Sequence, residues 1–174
     1  FIPPGFAWFM AMANIPMSNF TAGSPGQPPL RLAGQRVGVN ICYEDVFGEE
    51  IITALPAATL LINISNVAWF GDSLAPAQHL QIARMRALET GRMMLRATNT
   101  GMTAIVDVDG RVLSSLPPFS RGALVGEVRG HTGATPYVRW GHWPAIVGTL
   151  LLIALLGRHR AMPRKQVLVQ RETK

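Results

Sequence analysis

Apolar residues in this chain fall into short runs whose spacing changes along the sequence. Residues 36–45 open with alternating β-branched side chains, which favours a strand, and close with acidic residues, which suit the positively polarised start of a helix. Residues 59–65 form a second run of strand length. From 74 to 92 the apolar positions recur at three- to five-residue intervals, which predicts an amphipathic helix.

That predicted helix has recognisable ends. Asp72 and Ser73 can cap its start, and Gly91 lies near its end, where a left-handed residue commonly terminates a helix. Arg86 and Glu89 are three positions apart on one face and can form an ion pair. We expect that pair to be structural, because such helical pairs usually stabilise a surface.

The following runs are typical of strands. Residues 93–98, 102–108 and 111–115 fit this pattern, and Asp109 and Gly110 supply the turn of a hairpin between the last two. Residues 123–128 predict a further short strand. Strand, helix, strand, helix and then consecutive strands is the order of an α/β fold.

The last apolar segment runs from Trp140 to Gly157 and is unbroken only in residues 145–156. Its unbroken part is shorter than the ~20 residues of a usual membrane span, so a buried core helix is one interpretation. Trp140 and Trp143 before the run and a basic cluster after it favour a transmembrane helix. We therefore predict three parts: a domain in 1–136, a transmembrane helix in 137–157 and a basic cytoplasmic tail in 158–174.

Charge and composition narrow the function. The net charge is +6, but residues 158–174 hold six basic residues and one acid, so the body is nearly neutral and offers no nucleic-acid surface. A single cysteine excludes an internal disulfide and a multi-cysteine zinc site. The four histidines show no ligand-like pairing, so we expect neither metal nor cofactor. Residues 1–20, rich in Phe, Trp and Met, are either a core element or an apolar arm on a lipid surface.

The single cysteine, Cys42, stands where the first predicted strand becomes a helix. Backbone N–H groups at such a junction have no helical partners, so they can stabilise a thiolate and an oxyanion formed beside it. A cysteine nucleophile needs such a place. The alternative is a structural cysteine, since free cysteine often behaves as a small buried hydrophobe.

Three motifs carry a family resemblance: I-C-Y-E-D at residues 41–45, N-I-S-N-V-A-W-F-G at 63–71 and R-M-R-A-L-E-T at 84–90. Together they resemble the nitrilase superfamily, most closely its membrane-bound branch that acylates apolipoproteins. The resemblance implies the C-terminal part of an αββα sandwich followed by one transmembrane helix. In that family a glutamate and a lysine precede the cysteine. Because Lys165 and Lys174 are the only lysines, we expect an upstream part of a longer protein to supply both residues.

The resemblance also implies roles at the site. Cys42 matches the nucleophile, and Tyr43 and Glu44 match positions important for activity. Glu44 would orient the lysine or the incoming amine, or else it caps the helix. Asn66 and Trp69 match a substrate-binding loop, in which Trp69 either contacts the acyl chain or simply packs. The family more often has Asp at the position of Val67, which makes a polar role for this loop less certain.

The implied activity is transfer of an acyl chain from a phospholipid to the N-terminal amine of a diacylglyceryl-cysteine lipoprotein, through a cysteine thioester. The implied partners are a phospholipid donor, a diacylated apolipoprotein acceptor and the membrane. The implied location is the bacterial inner membrane, with the domain on the periplasmic side. Two other interpretations stay open: a membrane-tethered nitrilase-type amidase, and a degenerate nitrilase-like module without catalysis.

Overall fold

The computed structural model of the chain describes residue 23 and residues 26–161, with side chains up to residue 157. The predicted apolar arm in residues 1–20 lies outside this part. So does most of the predicted basic tail.

The described fold is built on one six-stranded sheet whose strands follow the order of the sequence. The strands are β1 (Leu30–Leu32), β2 (Gln35–Ile41), β3 (Leu60–Ser65), β4 (Met94–Thr98), β5 (Ala104–Val106) and β6 (Val112–Ser115). The central strands β2, β3 and β4 are parallel, and β1, β5 and β6 pair antiparallel at the edges. The mixed α/β fold agrees with the prediction from the alternating elements.

Helices connect the parallel strands and follow the last strand. They are α1 (Gly48–Ile51), α2 (Ala75–Thr90), α3 (Pro136–Trp140) and α4 (Trp143–Ala161), with 3-10 turns at Cys42–Val46, Ile52–Ala54 and Ala68–Phe70. The helix predicted after Cys42 is thus a 3-10 turn and a short helix. For α2, Ser73 Oγ accepts a hydrogen bond from Ala75 N (3.3 Å), and Gly91 ends the helix in the left-handed region (φ 62°).

Apolar side chains cover both faces of the sheet. On the face towards α2, Leu61, Met94 and Val106 pack against Leu80, Ala83 and Ala87. On the opposite face, Val37, Leu60, Met93 and Ile105 form a second cluster, packed against Leu124 and Val128. Because strand side chains alternate between faces, the sheet fixes which residues face α2 and which face away.

Residues 123–128 do not form a strand, so that prediction is wrong. Leu124 packs against the second apolar cluster, while Val125 is 90% exposed. The segment therefore covers the sheet with one side without pairing to it as a strand. The short edge strand β1 was not predicted, because its three residues follow a loop rich in Gly and Pro.

The predicted transmembrane helix in 137–157 also needs correction. The segment is two helices, separated at Gly141, whose φ is 54°. Within residues 26–161, no helix combines the length and hydropathy that a bilayer crossing requires. The physical reason is that α4 runs into Arg158 and Arg160, leaving an apolar stretch of roughly 22 Å against a hydrocarbon core of about 30 Å.

Candidate active site

The predicted nucleophile lies at the edge of the sheet where the parallel strands end. Cys42 follows β2, Asn66 follows β3 and Asn99 follows β4. Carboxyl ends of parallel strands are the usual place for ligands in α/β sheets. The Cys42 thiol is partly exposed, and its Sγ lies 3.7 Å from the Asn66 carbonyl oxygen, to which it can donate. The thiol is thus accessible, which disfavours a purely structural cysteine.

Cys42 adopts a backbone conformation that residues with a side chain rarely take. Its φ is 53°, in the left-handed region. A residue with a Cβ costs about 1–2 kcal/mol there, so the surrounding contacts must hold it in place. This sharp bend between β2 and the 3-10 turn is what lifts the thiol out of the strand.

The carboxylate of Glu44 closes the same bend from outside. Glu44 Oε2 accepts a hydrogen bond of 2.7 Å from Ile41 N, the residue before the cysteine. The capping interpretation of Glu44 is therefore the one that the contacts show. Next to it, Tyr43 is 62% exposed and meets Phe47 edge to face, with ring centroids 5.6 Å apart.

The loop after β3 is shaped by a pair of asparagines. Asn66 Oδ1 accepts hydrogen bonds from Ala68 N (3.1 Å) and Asn99 Nδ2 (2.7 Å), while Asn99 Oδ1 accepts one from Val67 N (3.0 Å). Val67 is buried beneath the loop. The Asn66 side chain thus fixes the conformation of the loop, and the Asn66 backbone carbonyl oxygen contacts the cysteine.

Trp69 lies on the same loop and is 70% exposed. Its ring does not fill the core of the described fold, which removes plain packing within this part of the chain as its explanation. Within the part of the chain that the structure describes, the ring is open to contact with a ligand.

Beneath the cysteine lies a buried polar cluster that the sequence did not reveal. Asn40, Asn63 and Arg96 occupy one row across β2, β3 and β4, since Asn40 pairs in register with Asn63 and Asn63 with Arg96. Asp45 and His79 meet this row from the 3-10 turn and from α2. All five side chains are buried or nearly so.

Direct contacts connect the members of this cluster. Arg96 Nη1 donates to Asp45 Oδ2 (3.1 Å) and to Asn63 Oδ1 (2.9 Å). His79 Nε2 lies 2.8 Å from Asp45 Oδ1. Asn63 Nδ2 donates to Asn40 Oδ1 (2.6 Å).

Burial lowers the pKa of Arg96, and Asp45 acts in the opposite direction. An anionic Cys42 also favours the charged form of Arg96. The cluster therefore places a buried positive charge behind the nucleophile.

Sequence reasoning interpreted Asp45 only as an acidic residue in the first turn of a helix and assigned no role to His79 or Arg96. One signal was available. Asn40, Asn63 and Arg96 each interrupt an apolar strand at a position facing α2, where an unpaired polar side chain would be costly. Three such positions in adjacent strands indicate a shared polar site, but their register is visible only in the folded sheet.

The fold and site define a class: a mixed α/β protein that presents a strained, accessible cysteine at the carboxyl edge of parallel strands, backed by a buried cation. Residues 9–137 match the family model described as carbon-nitrogen hydrolase. The chain belongs to the carbon-nitrogen hydrolase family.

Two curated relatives and one solved structure extend the comparison. The chain is 56% identical over 165 residues to an apolipoprotein N-acyltransferase of Ralstonia nicotianae, and 58% identical over 157 residues to one of Nitrosomonas europaea. These matches cover 92% and 89% of the chain, and the chain spans only 32% of each relative. A carbon-nitrogen hydrolase from Helicobacter pylori G27 has a TM-score of 0.52 at 18% identity, covering 58% of this chain and 43% of that one. That likeness confirms the fold.

Proposed function

We propose that this chain carries the nucleophile of an enzyme that transfers an acyl chain from a phospholipid to the N-terminal amine of a diacylglyceryl-cysteine lipoprotein. The observation that carries the proposal is the accessible Cys42 at its left-handed bend, in a chain more than half identical to relatives named apolipoprotein N-acyltransferase. Since the chain spans 32% of those relatives, the activity belongs to the whole protein of which such a chain forms part.

In the first step the Cys42 thiolate attacks the ester carbonyl of the phospholipid. A carbon–sulfur bond forms, the ester carbon–oxygen bond breaks, and the lysophospholipid leaves as an alcohol after taking up a proton. We assign stabilisation of the oxyanion that forms on the carbonyl oxygen to backbone N–H groups at the bend.

In the second step the lipoprotein amine attacks the thioester. An amide bond forms, the Cys42 thiolate leaves, and the amine loses a proton. The resemblance assigns the proton transfers to a glutamate and a share of the oxyanion stabilisation to a lysine, both N-terminal to this stretch. Splitting the reaction in this way lets one pocket receive two large substrates in turn.

We propose that two exposed aromatic rings, on segments that flank the nucleophile, supply a surface for the acyl chain. Tyr43 follows the nucleophile directly, and Trp69 lies three residues after Asn66, whose carbonyl oxygen contacts Sγ. We assign substrate contact to Tyr43 and Trp69. Asn66 shapes the loop that carries Trp69, and Glu44 caps the bend and is available to an incoming amine on its exposed side.

Among the described residues, nothing covers the carboxyl end of the sheet face away from α2, and this fits a two-sheet sandwich. Ile41 and Ile64, on the face away from α2, are 62% and 54% exposed although they continue the second apolar cluster. Apolar strand faces are normally buried against another layer. We assign a second sheet from the rest of the whole protein to this face.

The helix α4 supports association with lipid. Its apolar side chains, from Ile146 to Leu156, are about half exposed or more around the helix, and none belongs to either core cluster. An apolar helix without a protein partner is stabilised by lying in a lipid interface. We therefore propose that α4 brings the site to the bilayer that holds both substrates.

The test is product formation by the whole protein with Cys42→Ser and with Cys42→Ala. Wild type is expected to convert a diacylated lipoprotein to the triacylated form in phospholipid vesicles, and both variants to make none. Normal conversion by Cys42→Ala would show that Cys42 is not the nucleophile. Hydrolysis of small amides without lipid, in place of acyl transfer, would support the amidase.

A further inference from the structure

The carbonyl oxygen of Cys42 is held by two buried side chains. Asn63 Nδ2 donates to it over 3.1 Å, and His79 Nε2 lies 3.3 Å away. The same His79 nitrogen lies 2.8 Å from Asp45 Oδ1. Because both neighbours of this nitrogen are acceptors, Nε2 must carry a hydrogen.

Both donors are themselves fixed. Arg96 Nη1 donates to both Asn63 Oδ1 and Asp45 Oδ2. The same buried cation thus fixes Asn63 directly and fixes His79 through Asp45. Asp45 and Asn63 are fully buried. The Cys42 carbonyl oxygen is therefore fixed by a closed ring of hydrogen-bonded side chains. The ring consists of Asn63 from β3, Arg96 from β4, His79 from α2 and Asp45 from the 3-10 turn.

This grip has a consequence on the other side of the peptide bond. A trans peptide is planar, with its C=O and N–H pointing in opposite directions. Since the Cys42 carbonyl points into the buried ring, the N–H of Tyr43 points away from it, towards the open side of the site. The same contacts keep Cys42 in the left-handed region, which it would otherwise leave.

We propose that His79, together with Asn63, is a positioning residue for the nucleophile: it holds the Cys42 carbonyl so that the thiol and the Tyr43 N–H face the substrate together. The proposal rests on the proposed function for its catalytic consequence. It names residues that act through the backbone of Cys42 and do not touch substrate.

Two amide side chains of different reach test it in the whole protein. Gln places its amide nitrogen near the position of His Nε2, whereas Asn ends near Nδ1 and cannot reach the Cys42 carbonyl. His79→Asn is expected to lower kcat for acyl transfer at least about tenfold, the scale of a displaced oxyanion donor, with KM within about twofold. His79→Gln is expected to recover kcat to within about threefold of wild type.

Leu80→Ala is the matched control, because Leu80 is buried on the same helix but packs in the apolar cluster. It is expected to lower the melting temperature while leaving kcat close to wild type. If Leu80→Ala lowers kcat as much as His79→Asn at equal loss of melting temperature, or if His79→Gln recovers nothing, the positioning role is overturned.

Alkylation of Cys42 by iodoacetamide, followed by peptide mass spectrometry at fixed pH, separates this proposal from the proposed function. It needs no lipid. His79→Asn is expected to slow alkylation at least about fivefold, because the released bend turns the thiol from the open side, and His79→Gln to restore it. Equal rates in all three proteins contradict positioning. If His79→Asn slows alkylation and His79→Gln restores it, but the wild-type protein makes no triacylated product, only the proposed function is contradicted.

Discussion

At the scale of single residues, the site depends on how buried polar groups satisfy one another. Arg96 and Asp45 are an ion pair with no exposed side-chain surface, and such a pair is stable only while both partners remain. Arg111 and Asp109 form a pair of similar length, 3.0 Å, that is mostly exposed. Substitution of the buried pair should therefore cost far more stability than substitution of the exposed pair.

Asp45→Asn is expected to lower the free energy of unfolding by about 3–5 kcal/mol, because it leaves the Arg96 charge buried without a counter-ion. The control Asp109→Asn should cost less than about 1 kcal/mol, as exposed pairs do. Chemical denaturation of both variants measures this. Equal losses in the free energy of unfolding would mean that the buried pair contributes no more to stability than the exposed pair.

The bend at Cys42 can be tested by stability alone. Cys42→Gly is expected to be more stable than Cys42→Ala by about 1 kcal/mol, because glycine adopts a φ of 53° without strain. At Gln81, exposed within α2, the order should reverse, with Ala more stable than Gly by about 1 kcal/mol. The same order at both positions would show that Cys42 is not strained.

At the scale of elements, the sequence predicts most of what positions the cysteine. The strands β2, β3 and β4 and the helix α2 follow from apolar periodicity, and Gly91 ends α2 as expected. The Arg86–Glu89 pair forms at 2.8 Å, but its side chains are mostly buried under α3, so it is not the surface pair that was predicted. Periodicity locates a helix face, and only the packing of a later segment decides whether water reaches it.

Glu89 makes this packing sensitive to pH. Burial raises its pKa above the ordinary 4.5, against the opposing effects of Arg86 and His142. The folded state thus keeps the proton to higher pH than the unfolded chain, so the contribution of Glu89 to stability is fully present below about 4.5 and is lost as pH rises through the folded pKa. Relative to Glu89→Gln, wild type is expected to lose stability from pH 4 to pH 7, as denaturant unfolding would show. A constant difference between the two proteins would contradict the shift.

At the scale of the whole molecule, the chain has surfaces that its own described residues do not cover. The sheet face bearing Ile41 and Ile64, and the apolar helix α4, are both exposed. Apolar composition predicted a single membrane helix in 137–157, but composition could not show that the segment divides into two helices at Gly141. Likewise, the position of Cys42 could be predicted from the sequence, whereas the ring behind it depends on a register between strands far apart in the chain.

The lipid surface proposed for α4 is testable with vesicles. Serine at Leu150, Leu151 and Ile153 is expected to weaken binding of the chain to phospholipid vesicles at least about tenfold, since each exposed apolar side chain contributes on the order of 1 kcal/mol or more. Serine at Leu30, Leu32 and Leu113, which are similarly exposed, is the control and should leave binding unchanged. Cosedimentation measures both, and equal binding by wild type and the α4 variant would exclude α4 as the lipid contact.

The proposed function requires that Cys42 accept an acyl chain as a thioester. The most direct measurement is intact and peptide mass spectrometry of the whole protein after incubation with phospholipid and no lipoprotein acceptor. We expect a mass increase of one acyl chain on Cys42, and neutral hydroxylamine should remove it. Cys42→Ser should show no acyl mass after the same incubation and hydroxylamine treatment. An unmodified Cys42 in a protein that still produces triacylated lipoprotein would contradict it.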